Sequence, residues 1–204
     1  MRHTEALDQI SEIHKHLARS EVYRGYRPLP VALSGIVGLV AAFLQTPGLG
    51  GDDPVGFAIY WSTIAVVAAA VGSAEIVFNY ACRESEFERR RTRLVAAQFS
   101  PALVVAAVAT LALTRLSAAL VPILPGLWAA LFGLGIIAVR PYLPRATGWV
   151  ALFYLSSGAW WLWNMATTPP SPWAVGGTFG VGQIVAAVVL YWNLERKGVW
   201  DRPD

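Results

Sequence analysis

The sequence predicts an all-α membrane protein, a polytopic bundle of about six transmembrane helices preceded by an amphipathic cytoplasmic helix. Of its 204 residues, 55% are hydrophobic and 14% are charged, and its mean hydropathy of +0.48 lies outside the range typical of soluble domains. Short polar segments separate apolar runs of roughly 20 residues, the length that crosses a bilayer. We therefore divide the chain into an amino-terminal helix and collar (1–28), a six-helix bundle (29–193) and a cytoplasmic tail (194–204).

Residues 4–24 carry apolar side chains at three- and four-residue steps, beginning with Leu7 and Ile10. This spacing predicts an amphipathic helix, since the charged residues fall mostly on its other faces. The segment is too polar to cross a membrane and leads into Tyr23 and Tyr26, which suit the headgroup region. We expect the helix to lie on the cytoplasmic surface or against the bundle and to dock a partner.

Six apolar runs, separated by turn-forming residues, are the predicted spans. They cover approximately residues 30–45, 57 onwards, 94–113, 118–139, 147–165 and 173–191. The second helix is expected to continue into the cytoplasm through residues 83–91, because nothing after Gly72 interrupts a helix. Pro101 removes a backbone hydrogen bond inside the third span, which predicts a kink or a polar notch there.

The distribution of basic residues predicts the orientation. Of the 16 Lys and Arg residues, only Arg115 falls on the outer side of this layout, so both termini are expected in the cytoplasm. The short loops and the lack of a sorting or glycosylation signal favour a bacterial inner membrane. Because the basic residues flank apolar runs and alternate with acidic ones, we read the net charge of +3 as a topology signal rather than as a nucleic-acid surface.

Glu75 is the acidic residue that lies inside an apolar span. A charged side chain at the centre of a span costs about 2.5 to 3.5 kcal/mol on insertion scales, so Glu75 needs a partner, a water path or a proton. Asn79 shares its helix face, and Arg93, Gln98 and Arg140 are predicted at a similar depth. Two interpretations remain open: a cytoplasm-facing vestibule that binds a cation, a proton or an amine, and an interhelical ion pair near the membrane boundary.

Most of the nine tryptophans gather towards the predicted outer face, as in an aromatic belt. Trp160, Trp161 and Trp163 cannot all face lipid, because consecutive helical residues are turned by about 100°. At least one should face the bundle, either as packing or as part of an apolar ligand pocket. The candidates for that pocket are Tyr60, Trp61, Tyr154, Trp160, Trp161 and Asn164.

No catalytic motif, metal site or cofactor site is predicted. The histidines, His3, His14 and His16, all precede the first span, so no haem can be held between spans by histidine. Two functional classes remain: a sensor or accessory subunit that contacts a protein partner or a second copy, and a transporter or channel that uses Glu75. The first is favoured, because the amino-terminal helix and residues 83–93 both offer cytoplasmic contacts.

Overall fold

The computed structural model describes residues 27–46, 53–82, 86–164 and 171–196, and within these ranges the regular structure is entirely helical. The predicted amino-terminal helix and most of the predicted tail lie outside the described residues. The α-helices are α1 (Pro28–Leu44), α2 (Pro54–Cys82), α3 (Glu86–Leu116), α4 (Leu124–Val139), α5 (Thr147–Asn164) and α6 (Pro172–Leu190). Short 3₁₀ turns at Ala118–Ile123 and Arg140–Tyr142 flank α4, and a π turn at Tyr191–Arg196 continues α6.

The prediction of an all-α membrane protein is confirmed at the level of fold class. Four helical segments are long and apolar enough to cross a membrane: Pro54–Cys82, Glu88–Leu116, Ala118–Tyr142 and Pro172–Asn193. The chain is therefore a multi-pass membrane protein. The other two helices are shorter. α1 is apolar but has only 17 residues, or about 26 Å, and α5 mixes its apolar residues with serine, tryptophan and asparagine.

The expected continuation of the second helix through residues 83–91 is wrong. α2 ends at Cys82, and a new helix begins at Glu86. Arg89 donates to the carbonyl of Ala81 at 3.3 Å and lies 5.5 Å from the ring centre of Tyr80. Leu113, near the end of α3, packs in the same core as Phe57 and Trp61, near the start of α2, so the two helices run antiparallel.

The charges that suggested an extension instead stabilise two helix ends. Glu86 and Glu88 occupy the first turn of α3, where carboxylates oppose the positive end of the helix dipole. The Arg89 guanidinium donates to the Ala81 carbonyl in the last turn of α2, where a cation opposes the negative end of the helix dipole.

α1 packs closely against α6 through glycines. A Cβ placed on Gly35 would lie 2.8 Å from the carbonyl oxygen of Gly180, and one placed on Gly176 would lie 2.5 Å from that of Gly38. Helices in lipid gain little from the hydrophobic effect and associate where small residues permit backbone contact. Val31, near the start of α1, packs with Ala187 and Leu190 near the end of α6. The two helices are therefore antiparallel, and we call this contact the glycine seam.

Three tryptophans each bond their indole N–H to a side chain of an adjacent helix. Since an indole N–H in apolar surroundings needs an acceptor, each bond limits how the two helices can rotate against each other. All three lie in the half of the bundle away from Arg27 and Arg140. The bonds are Trp61 to Oε1 of Gln45 at 2.9 Å, Trp128 to Oγ1 of Thr110 at 2.8 Å and Trp161 to Oγ1 of Thr178 at 3.0 Å.

An aromatic cluster joins α3, α4, α5 and α6 in the centre of the bundle. The ring of Phe132 lies 5.3 Å from Phe99, 4.8 Å from Tyr154 and 5.4 Å from Phe179, measured between ring centres. Tyr154 is completely buried, and its hydroxyl donates to the carbonyl of Phe179 at 3.3 Å. A second core, which includes Phe57 and Trp61 of α2, packs around the first turns of α4 and α6.

Replacing a seam glycine should destabilise the bundle. We expect Gly176→Ala to lower the melting temperature in detergent, because its Cβ would meet Gly38 and Ala42 and overpacking costs about 1 to 3 kcal/mol. Gly177→Ala is the matched control. Its Cβ would make only ordinary contacts with Trp173, and alanine exceeds glycine in helix propensity by about 0.5 to 1 kcal/mol. Equal melting temperatures for the two variants would contradict the seam.

Candidate functional site

Glu75 forms an ion pair with Arg27. The Oε1 atom of Glu75 lies 3.0 Å from Nε of Arg27, and the two side chains are 30% and 57% exposed, respectively. Arg27 immediately precedes α1, and Glu75 lies two turns before the end of α2. The antiparallel course of these helices brings the residues together: Ser34 contacts Gly72 near them, and Tyr60 donates to the Ala41 carbonyl at 2.7 Å nearer the other end.

This geometry favours the ion-pair interpretation of Glu75. The Arg27 guanidinium already occupies a position beside the Glu75 carboxylate, so this carboxylate has a partner without a bound cation. Such a partly exposed pair contributes about 0 to 1 kcal/mol. Binding of a ligand or ion at Glu75 stays a prediction. Asn79, one turn further along the same face of α2, is partly buried.

The remaining predicted partners of Glu75 lie in the first half of α3 and directly after α4. Gln98 donates from Nε2 to the hydroxyl of Tyr142 at 3.2 Å. Arg93 is exposed. The Arg140 side chain lies across Gly148, where a Cβ would be 3.3 Å from its Nε. Among the described residues, Glu75 makes its ion pair with Arg27 and none with Arg93 or Arg140, so the predicted vestibule residues divide into two groups.

α3 continues through Pro101 without a break. The carbonyl that the proline leaves without a backbone donor is bonded by a side chain of the same helix. Proline has no N–H to donate to the carbonyl of Ala97, four residues earlier. The hydroxyl of Ser100 donates to that carbonyl at 3.3 Å. The freed acceptor is therefore partly satisfied without water or a ligand.

The predicted outer pocket residues do not form one group. Tyr60 and Trp61 lie in the α1–α2 contact, whereas Tyr154 belongs to the central aromatic cluster. Of the tryptophans in α5, Trp161 faces the bundle and bonds Thr178, while Trp160 and Trp163 are exposed. The Asn164 amide donates to the Trp160 carbonyl of its own helix at 2.8 Å. These contacts favour packing and an aromatic belt, and ligand binding here stays a prediction.

Sequence reasoning missed several residues that hold the site together. Arg27 was assigned to the headgroup collar, although its position just before α1 places it opposite the last turns of an antiparallel α2. Gln45, Thr110 and Thr178 were not weighed, although each accepts a tryptophan N–H. The sequence does contain a feature that could have predicted these bonds: a hydroxyl or amide side chain in one span lies at the same predicted depth as a tryptophan in the neighbouring span.

Comparisons of the chain with protein-family models, with curated proteins and with solved structures each find no match. No relative therefore suggests a ligand, a reaction or a partner for these residues. Their chemistry and geometry alone support the functional inference.

A double-mutant cycle tests the ion pair. Glu75→Gln and Arg27→Gln should each lower the free energy of unfolding in bicelles slightly, and the double variant should lose less than the sum, with a coupling of up to about 1 kcal/mol. Arg93→Gln in place of Arg27→Gln is the control and should be additive with Glu75→Gln. Coupling to Arg93 instead, or loss of a cation flux in Glu75→Gln at unchanged stability, would contradict the structural role.

Proposed function

We propose that α1 and α5 also cross the membrane, giving six spans with both termini in the cytoplasm of a bacterial cell. α1 measures about 26 Å and α5 about 27 Å, close to the roughly 30 Å of a hydrocarbon core. Each packs against two other helices, α1 against α2 and α6, and α5 against α4 and α6. The described arginines support the orientation. Arg27, Arg89, Arg90, Arg91, Arg93, Arg140 and Arg145 gather at one end of the bundle, and Arg115 stands at the other.

Thiol labelling tests this topology. Cys82 is the single cysteine and is exposed, so it reports the inner face directly. Ser117→Cys in a Cys82→Ser background reports the exposed start of the turn after α3, on the outer side of the proposed layout. A membrane-impermeant maleimide should label position 117 in intact cells and Cys82 only after permeabilisation. Labelling of both from the same side would contradict the layout.

We further propose that the protein is an accessory or sensor subunit that receives a transmembrane helix of a partner against α2 and α3. The observation that carries this proposal is how little of these two helices the bundle covers. In the most apolar 18-residue stretch of each helix, only 17% of the residues are buried in α2 and only 6% in α3. The corresponding share is 44% in each of the other two long spans.

Small exposed side chains support a helix, rather than lipid alone, as the cover. Ala69, Ala70 and Ala74 are exposed on α2, and Ala96 and Ala97 on α3. Because α2 and α3 run antiparallel, these two groups lie at similar depth. Small residues let a third helix approach the backbone closely, which large lipid-facing side chains prevent.

The transporter alternative has less support. It requires an ionisable group that exchanges a solute, and the candidate Glu75 is held by Arg27 at 3.0 Å. The same contact connects the chain entering α1 to the inner end of α2, beside the proposed partner surface. Through this ion pair, docking of the amino-terminal segment would affect how a partner helix binds to the α2–α3 surface. No catalytic role is proposed.

Enlarging the small side chains should weaken partner binding. We expect Ala97→Leu and Ala74→Leu to reduce association without lowering the melting temperature, because both positions are exposed in the isolated chain. Ala138→Leu, an exposed alanine on α4, is the matched control. Energy transfer between copies labelled at Cys82 reports self-association in liposomes, and a photo-crosslinker at position 97 reports a different partner in native membranes. Unchanged association in both assays would contradict the proposal.

A further inference from the structure

The arginines at the inner end of α4 and α5 have no acidic residue available in their half of the chain. Residues 89–194 include no Asp or Glu, although they carry Arg93, Arg140 and Arg145. Arg140 and Arg145 are exposed on either side of Leu143, in the short connection that ends at Thr147. Neither Arg140 nor Arg145 forms an ion pair with another of the described residues. A negative charge that pairs with Arg140 and Arg145 must therefore come from outside residues 89–194 or from a bound anion.

Gly148 leaves room for the Arg140 guanidinium beside the first turn of α5. A Cβ at position 148 would lie 3.3 Å from Nε, 3.5 Å from Cζ and 3.6 Å from Nη2 of Arg140. Since glycine leaves that space open, the guanidinium can lie across the first turn of α5. This brings a cation to the positive end of a helix dipole, an arrangement that a nearby anion would relieve.

The guanidinium groups, rather than the backbone, are the donors available to such an anion. The N–H groups of Thr147, Gly148 and Trp149 already donate at 2.9 to 3.2 Å to the carbonyls of the three residues that precede Thr147. No acidic residue lies in the first turn of α5. Two guanidinium forks can bind the oxygens of a phosphate in pairs, which is the geometry that arginine favours.

We propose that Arg140 and Arg145 bind the phosphodiester of an anionic membrane phospholipid at the cytoplasmic end of the α4–α5 contact. The surroundings indicate a lipid. Trp149 is mostly exposed beside the arginines, as expected of a side chain at the headgroup level. Ile137 on α4 and Leu152 on α5 are exposed about one turn deeper, where they can contact acyl chains. Basic pockets between transmembrane helices on the cytoplasmic side suit such headgroups.

Native mass spectrometry of the full-length protein tests the proposal. The protein is purified with an equimolar mixture of phosphatidylglycerol and phosphatidylcholine that have identical acyl chains, and the retained lipids are counted. The wild type should retain phosphatidylglycerol in preference. Arg140→Gln should lower that preference about fivefold, the effect expected of one basic residue near an anionic headgroup. Arg115→Gln removes the same charge at the opposite end and should not change it.

Gly148→Val keeps every charge but fills the space under the guanidinium, and it should also lower the preference. The proposal is overturned if the wild type retains both lipids equally, if Arg115→Gln and Arg140→Gln have the same effect, or if Gly148→Val retains as much phosphatidylglycerol as the wild type. Inorganic phosphate alone, added in phosphatidylcholine, should not raise the melting temperature. Stabilisation by phosphate equal to that by phosphatidylglycerol would assign the site to a free anion and reject the lipid.

Discussion

The close approach of α1 to α6 is the contact on which the rest of the bundle depends. Only α4 is shorter than α1 among the six helices. Because α1 packs against both α2 and α6, it connects α2 to the last helix of the bundle. Because lipid is as apolar as the side chains, only dense packing and hydrogen bonds can hold such a helix in place. Gly35, Gly38, Gly176 and Gly180 supply that density by exposing backbone to backbone.

Polar contacts then fix the rotation of helices that glycine packing alone would allow to slide. Indole N–H bonds join neighbouring helices in one half of the bundle, while the Arg27–Glu75 pair and the Arg89 bond to Ala81 act near the other end. Among the described residues, no buried side-chain nitrogen or oxygen lacks a hydrogen-bond partner. The polar groups of the interior are thus satisfied, and Arg140 and Arg145 are left on the surface, available to groups from the membrane.

The sequence predicts the helices better than their contacts. Hydropathy and length located the apolar runs, because a span must satisfy its backbone within one helix and so leaves a continuous signal. The end of α2 was misplaced, because residues 83–91 contain no glycine or proline to interrupt a predicted helix. Glu75 was singled out by its charge within an apolar run, but its partner was sought on α3 and α4, whereas the ion pair is with Arg27. The depth of a residue in the membrane follows from its position along a span. The neighbour that its side chain faces depends instead on how the helix is rotated about its axis, and a weakly amphipathic span carries little sequence information about that rotation.

Disulfide formation across the glycine seam tests the account most directly. In a Cys82→Ser background, cysteines at Val31 and Ala187 should crosslink in membranes, and so should cysteines at Ala42 and Val175 near the other end of the same contact. The mixed pair of Val31 and Val175 should remain reduced, because antiparallel packing separates these positions by most of the length of α1. Crosslinking of the mixed pair, with none in the two matched pairs, would contradict the antiparallel seam and the bundle built around it.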